Sequence, residues 1–135
     1  MAKLFSYQRK EKLKSRKLMD QLFTGGKSVS AFPVKAMFNE TDVAIDFPVK
    51  AGVGVSSRNF KKAVDRNRIK RLLREAYRLN KQPLLDFAIA NDKKIAVFFL
   101  FVDKTLPDFE TLQNKMPVLI DKLIKQLNEN SVANT

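Results

Sequence analysis

The chain has 135 residues, carries 26 Lys or Arg against 14 Asp or Glu for a formal net charge of +12, and contains neither histidine nor cysteine. That length fits one domain with one sizeable core, and an apolar content of 44% with 11 Phe argues against a disordered basic tail. Without cysteine there are no disulfides, thiol nucleophiles or thiolate metal sites, and without histidine any acid-base chemistry falls to carboxylates, Lys or Tyr.

The carboxylates are scattered along the chain, at Asp42, Asp46, Asp86, Asp92, Asp103, Asp108, Glu110 and Asp121 among others. Asp42 and Asp46 can be read as a Mg²⁺-holding pair beside a strand turn or as solvated loop residues. No Walker loop, zinc spacing or nucleophile elbow occurs. A hydrolase built on this chain is therefore expected to leave bond-breaking to something other than its own side chains. Met1 to Lys14 lacks the apolar centre of a secretory signal. The longest apolar run, Ile95 to Val102, has eight residues, against the roughly 20 that a membrane-crossing helix needs. The expected location is cytoplasmic, with no membrane partner.

Taken in order, residues 1–14 read as a basic arm of low periodicity that orders on a partner, ahead of a single domain that spans the rest of the 135 residues. Ser15 is a candidate N-cap for a short helix whose apolar positions are Leu18, Met19, Leu22 and Phe23, closed by Gly25-Gly26 with a residue at positive φ. Val34, Ala36 and Phe38 alternate with Lys35 and Met37. Turn residues follow at Asn39 to Asp42, and Val43 to Phe47 alternates again, so an antiparallel hairpin is expected. Val49, Ala51, Val53 and Val55 alternate with Lys50, Gly52 and Gly54 in a third strand, where the glycines permit close approach of backbone or ligand. After the long helix described next, a short helix is expected near Leu84 to Ala90. Ile95 to Val102 reads as a central strand covered on both faces. Phe109 to Leu127 reads as an amphipathic helix kinked at Pro117.

The densest signal lies between Ser56 and Arg78. Ile69, Leu72, Leu73, Ala76 and Tyr77 recur at helical spacing and form one apolar stripe. Asn67, Lys70, Arg71, Arg74 and Arg78 project on the far side. A solubilising face would interleave both signs, but Arg71 with Glu75 is the one obvious pair here. Arg58 to Arg78 holds nine Lys or Arg against Asp65 and Glu75, a net of +7. Lys3 to Lys17 holds seven against Glu11, a net of +6, and the remainder nets −1. Charge confined to two stretches implies one oriented surface for a polyanion. The loop Ser56 to Lys62 adds Arg58, Lys61 and Lys62 beside a helix N-terminus, where unpaired N–H groups already favour anions.

The run Ala63-Val64-Asp65-Arg66-Asn67-Arg68-Ile69-Lys70-Arg71-Leu72-Leu73-Arg74-Glu75, preceded by the glycine-bearing strand and Ser57-Arg58, resembles the signature of the bacterial ribonuclease P protein component. The resemblance extends from the basic arm through Leu18 to Gly26 and on to the apolar strand and last helix. It implies an α+β fold, an αβββαβα two-layer sandwich of ribosomal-protein type, with a mixed four-stranded sheet and a left-handed crossover that ordinary connection rules do not favour. It also implies a function: the protein subunit of an endoribonuclease that removes the 5′ leader of precursor tRNA, with catalysis by ribonuclease P RNA and Mg²⁺ bound mainly by that RNA. No catalytic residue, protein-bound metal or obligate protein partner is implied.

Carried over by motif, Arg66, Asn67, Arg68, Lys70, Arg71 and Arg74 approach the catalytic RNA, with Arg58, Lys61 and Lys62 in the adjoining loop. Phe23 takes the aromatic position bordering the leader cleft. Met19 stands where the family usually has a second Phe, exchanging a stacking ring for flexible apolar contact. Met37 is a further candidate platform for leader bases, and ordinary core packing is the alternative for all three cleft residues. Two other readings fit the same charge pattern: a purely structural RNA binder such as a ribosomal protein, and a peripheral membrane protein, which the packing duty of the stripe and the lack of Trp disfavour.

Overall fold

In a computed structural model, which describes residues 12–13, 16–41 and 48–133, the chain forms helices α1 (Arg16–Gly25), α2 (Ala63–Asn80), α3 (Gln82–Ala90) and α4 (Phe109–Ala133). Its strands are β1 (Lys27–Ala31), β2 (Val34–Glu40), β3 (Val49–Val55) and β4 (Ile95–Phe101). Most of the expected basic arm, the Ser15 cap, the Asp42/Asp46 pair and the strand expected at Val43 to Phe47 lie outside the described residues.

The sheet runs β1-β2-β4-β3, with β1, β2 and β4 antiparallel in sequence of neighbours and β3 parallel to β4. The expected hairpin of Val34 to Phe38 with Val43 to Phe47 is thereby corrected. Both edges of Val34–Phe38 are taken, one by β1 and the other by β4. β1, with sequence Lys-Ser-Val-Ser-Ala, supplies the third early strand. It escapes the apolar alternation test because only Val29 and Ala31 turn to the core, while Ser28 and Ser30 face away.

The even pleat of the sheet divides its residues cleanly. Val34, Ala36 and Phe38 of β2 and Ile95, Val97, Phe99 and Phe101 of β4 face one side. There they are covered by Ile69, Leu73, Ala76 and Tyr77 of α2 and by Leu112, Met116, Leu119, Ile120 and Leu123 of α4. Tyr77 meets Phe99 at 5.3 Å between ring centroids. Asn80 donates to both the Ala76 carbonyl at 2.8 Å and Gln113 Oε1 at 2.9 Å, fixing the end of α2 to α4. Short α3 carries Pro83 in its first turn, where a missing N–H costs no helix bond. α4 continues through Pro117, whose ring leaves the Gln113 carbonyl without its usual helix donor.

Among the described residues α1 is the one helix on the opposite side, burying Leu18 and Leu22 together with Leu13 against Ala96. The expectation that Ile95 to Val102 is covered on both faces therefore holds for Ala96 but not for Phe98 and Leu100, which remain half-buried. The end of α1 also differs in mechanism from the expected turn, since no glycine among the described residues has positive φ. Gly26 is needed for closeness instead: a Cβ there would sit 2.6 Å from the Leu22 carbonyl oxygen, which accepts the Gly26 N–H at 3.2 Å.

α4 begins at an aspartate cap. Asp108 Oδ1 accepts the Thr111 N–H at 2.8 Å, and hydrogen bonding from the Thr111 side chain first, then from its backbone N–H, holds the Asp108 carboxyl below its ordinary value. A depressed carboxyl pKa adds stability above the unfolded value, and that stability disappears as pH falls through the folded value. Asp108→Ala is thus expected to lower the melting temperature at neutral pH. Thermal scans of the two proteins converge in acid, once the wild-type cap is protonated.

Candidate nucleic-acid interface

The loop between β3 and α2 is held from three sides. Phe60 is buried against Phe101 with ring centroids 6.0 Å apart. Asn59 Nδ2 donates to the Asp103 carbonyl at 3.4 Å, and the Arg58 N–H donates to Ser56 Oγ at 3.2 Å. Arg66 Nη1 donates to the Phe60 and Lys61 carbonyls, 2.8 Å each. One guanidinium nitrogen of the signature is therefore engaged in shaping the loop. With the backbone fixed this way, Arg58, Lys61 and Lys62 point outward and are exposed.

α2 starts at Lys62, which makes no side-chain cap bond, so the first N–H groups of the helix face outward beside these cations. Along the helix Asn67, Arg68, Arg71 and Arg74 are exposed and Lys70 is half-buried. The expected pairing of Arg71 with Glu75 is not what forms. Glu75 instead bonds Arg78 one turn on, through Arg78 Nε at 3.0 Å and a second, shorter contact from Nη2. Arg78 holds the Glu75 carboxyl below its ordinary value, and Glu75 raises Arg78 in return. The acid thus neutralises the cation farthest from the loop. Among the described residues no ion pair engages Arg58, Lys61, Lys62, Arg68, Lys70, Arg71 or Arg74. Seven cations without carboxylate partners on one loop and one helix make a strong anion-binding face.

A second surface lies across the sheet. Phe23, 54% exposed, meets Phe98 edge-on at 5.4 Å. Phe98 lies over β3 in the space that side chains at Gly52 and Gly54 would occupy. A Cβ on Gly54 would stand 2.5 Å from Phe98 Cζ, and one on Gly52 would stand 3.1 Å from its Cδ2. The close approach that the glycines allow is thus made by a ring of this chain. Met37 pairs with Phe98 in register, on the same face, and is half-buried. Met19 packs against the small cluster under α1. Phe98 escapes notice in the sequence because its run is apolar throughout; two glycines at i and i+2 on the neighbouring strand are the signal that a large group must lie over them.

The two surfaces meet at the outer edge of β3. The Leu13 N–H donates to the Ala51 carbonyl at 2.9 Å, so Lys12–Leu13 lies parallel along that edge at one point. Beside it a hollow of about 230 Å³ is lined by Lys12, Leu13, Met19, Ala51, Gly52, Val53, Arg74 and Phe98. Arg74 comes from the basic helix, while Met19 and Phe98 come from the apolar cleft. A polyanion held on α2 can therefore pass round the strand edge onto aromatic and thioether side chains without leaving the protein.

No group of three or more acidic side chains among the described residues could hold a metal ion, and no helix among them is long and apolar enough to cross a membrane.

Known proteins share both pattern and fold. The family model described as Ribonuclease P matches residues 7–124. A ribonuclease P protein component of Porphyromonas gingivalis is 35% identical over 115 residues, covering 83% of this chain and 82% of the relative. One from Chlorobium phaeobacteroides is 34% identical over 130 residues, covering 87% and 88%. Among solved structures, the RNase P protein of Thermotoga maritima superposes with a TM-score of 0.62 at 25% identity, covering 83% of this chain and 96% of that one. The Staphylococcus aureus RNase P protein shares the fold at a TM-score of 0.65 and 16% identity, covering 84% and 94%. With its signature helix, four-stranded mixed sheet and near full-length relatives, the chain belongs to the family of ribonuclease P protein components, the protein subunits of ribonuclease P in tRNA processing.

Proposed function

We propose that this chain binds ribonuclease P RNA through Arg58, Lys61, Lys62, Arg68, Lys70, Arg71 and Arg74, and receives the 5′ leader of precursor tRNA in the cleft formed by Met19, Phe23, Met37 and Phe98. The observation that carries this reading is the shared hollow at the β3 edge, where Arg74 stands over the same space as Met19 and Phe98. Cations without carboxylate partners hold phosphates and set orientation without reading sequence. A single-stranded leader can lay its bases on apolar side chains, which a duplex cannot do. Arg66 acts on this surface by holding the loop that presents Arg58, Lys61 and Lys62. Asn67 adds a neutral donor among the phosphates.

The hydrolysis of the leader phosphodiester is assigned to the RNA subunit and its Mg²⁺. What the chain contributes is affinity and position. Its positive face lowers repulsion between the packed phosphates of the RNA and the substrate, and less Mg²⁺ then suffices to bring them together. Such an assembly works where RNA is made and matured, in the cytoplasm.

Reconstitution tests this directly. A transcript of ribonuclease P RNA and a precursor tRNA are mixed at a Mg²⁺ concentration too low for the RNA alone, with and without this chain. Leader removal is expected only with both RNA and protein present. Cleavage by the protein alone would place the chemistry on this chain and overturn its assignment to the RNA, and no rescue of the RNA would favour a purely structural RNA binder.

A further inference from the structure

We infer that the end of the sheet around Phe32 is a second contact, one that takes an unpaired nucleobase of the RNA held by α2; this rests on the RNA-binding reading above. Phe32, in the turn between β1 and β2, is 65% exposed, and Val102, whose N–H bonds this turn, is 38% exposed. A two-residue turn has no packing need for a ring of that size, and this ring contributes little to the core.

Two hydrogen bonds tie the turn that carries this ring to the basic loop. Val34, Phe101 and Val55 lie in one row across the sheet, so the β1–β2 turn, the exit of β4 and the β3–α2 loop all leave from the same end. The Val102 N–H donates to the Pro33 carbonyl at 2.9 Å, seating the β4 exit against the turn. Asp103, the next residue, accepts from Asn59 Nδ2 and ties that exit to the loop carrying Arg58. On the other flank Lys122 Nζ donates to the Ser30 carbonyl at 2.7 Å, two residues ahead of Phe32. Lys104 is exposed beside Asp103.

The charge of this rim selects the occupant. Arg58 and Lys104 lie exposed on the two segments tied to this turn and Lys122 bonds the strand leading into it, while Asp103 and Asp108 are turned to local backbone donors. Asp103 accepts the Lys104 N–H at 2.7 Å and Asp108 accepts the Thr111 N–H at 2.8 Å. An exposed ring rimmed by cations suits a ligand with a flat π-face and a phosphate on either side, which is an unpaired nucleotide. A second copy of this chain would bring the same cations face to face, at a net charge of +12 each. Stacked duplex bases offer Phe32 no face. The contact is therefore with a bulged or looped base of the catalytic RNA, and it is separate from the leader cleft on the α1 face of the sheet.

The test uses the full chain and a transcript of ribonuclease P RNA, with no precursor tRNA present, so that the leader cleft plays no part. Phe32→Ala is expected to weaken binding about fivefold or more, the low end of the ~1–3 kcal/mol that one base stack contributes, while Phe32→Trp restores it. The slope of log affinity against log salt stays at the wild-type value for both, because a stack releases no counterions. Chemical probing of the transcript then shows one unpaired base protected by wild type and Phe32→Trp but not by Phe32→Ala. Wild-type affinity in Phe32→Ala together with weakened binding in Arg71→Ala overturns this contact and leaves the proposed function standing. Unchanged binding in both variants overturns the two together. A wild-type chain that sediments as a dimer without RNA, and becomes a monomer on Phe32→Ala, assigns the patch to self-association and also overturns it.

Discussion

Replacing Gly54 by valine is expected to separate leader binding from RNA assembly. Even the first carbon of the new side chain would stand 2.5 Å from Phe98 Cζ and 2.8 Å from Cε1, well inside contact distance. The Phe98 ring has to leave its place over β3. Its way out is toward α1, where Phe23 already meets it edge-on at 5.4 Å, so the displaced ring narrows the cleft and tilts Phe23. Overpacking of this kind costs about 1–3 kcal/mol, a fall in melting temperature of roughly 4–11 °C for a chain of this size. The larger effect is functional. Losing one base platform should weaken binding of a precursor with a leader about tenfold, measured on the assembled holoenzyme against a mature tRNA as reference. Binding of mature tRNA, and of the catalytic RNA to the protein, should hold within about twofold, since α2 packs on the other face of the sheet. Gly52→Ala is the milder control, its Cβ approaching Phe98 Cδ2 at 3.1 Å and Leu13 Cβ at 3.3 Å. If Gly54→Val keeps the full preference for a leader-bearing substrate, Phe98 is not part of the leader path.

The difference between α2 and this cleft explains what could be read in advance. α2 writes its whole role in one short segment. Ile69, Leu73, Ala76 and Tyr77 at helical spacing name the buried side, and everything else on the helix is forced outward by the same geometry. Its basic face is legible because a helix places residues by local sequence alone. The cleft is made by strand pairing. Phe98 covers Gly52 and Gly54 only because β3 lies parallel to β4 with Gly52 opposite Phe98, and nothing within seven apolar residues of β4 marks one ring as different from its neighbours.

The same reason hides β1. Its five residues need only two inward side chains, Val29 and Ala31, because it is an edge strand packed on α4, and serines fill the remainder without an apolar signature. The more regular pattern drew the expected hairpin to Val43 to Phe47 instead. The partner of Glu75 is decided by a smaller cause. Arg71 and Arg78 lie four residues before and three after it, and Arg78 prevails by offering two donors to one carboxylate.

The second large effect is expected from Arg71→Ala combined with Arg74→Ala. Both side chains are exposed on α2, and neither has a carboxylate partner among the described residues. Alanine is the better helix former, so stability should move by no more than about 0.5 kcal/mol. RNA binding should behave very differently. Each charge-assisted bond to phosphate contributes about 1.5–3 kcal/mol, which puts the double variant about a hundredfold or more weaker for ribonuclease P RNA at low salt. Each lost phosphate contact also removes a released counterion, so the salt slope should flatten by about 1.5–2. Wild type and variant therefore approach each other as salt rises, and a titration at several salt concentrations reads this directly. Arg71→Lys with Arg74→Lys should restore the slope but only part of the affinity, because an ammonium replaces the counterion without the planar fork that meets two phosphate oxygens. A double alanine variant that binds more weakly by the same factor at every salt concentration would mean that these arginines hold the RNA by shape or stacking, and that the phosphates are gripped elsewhere on the chain.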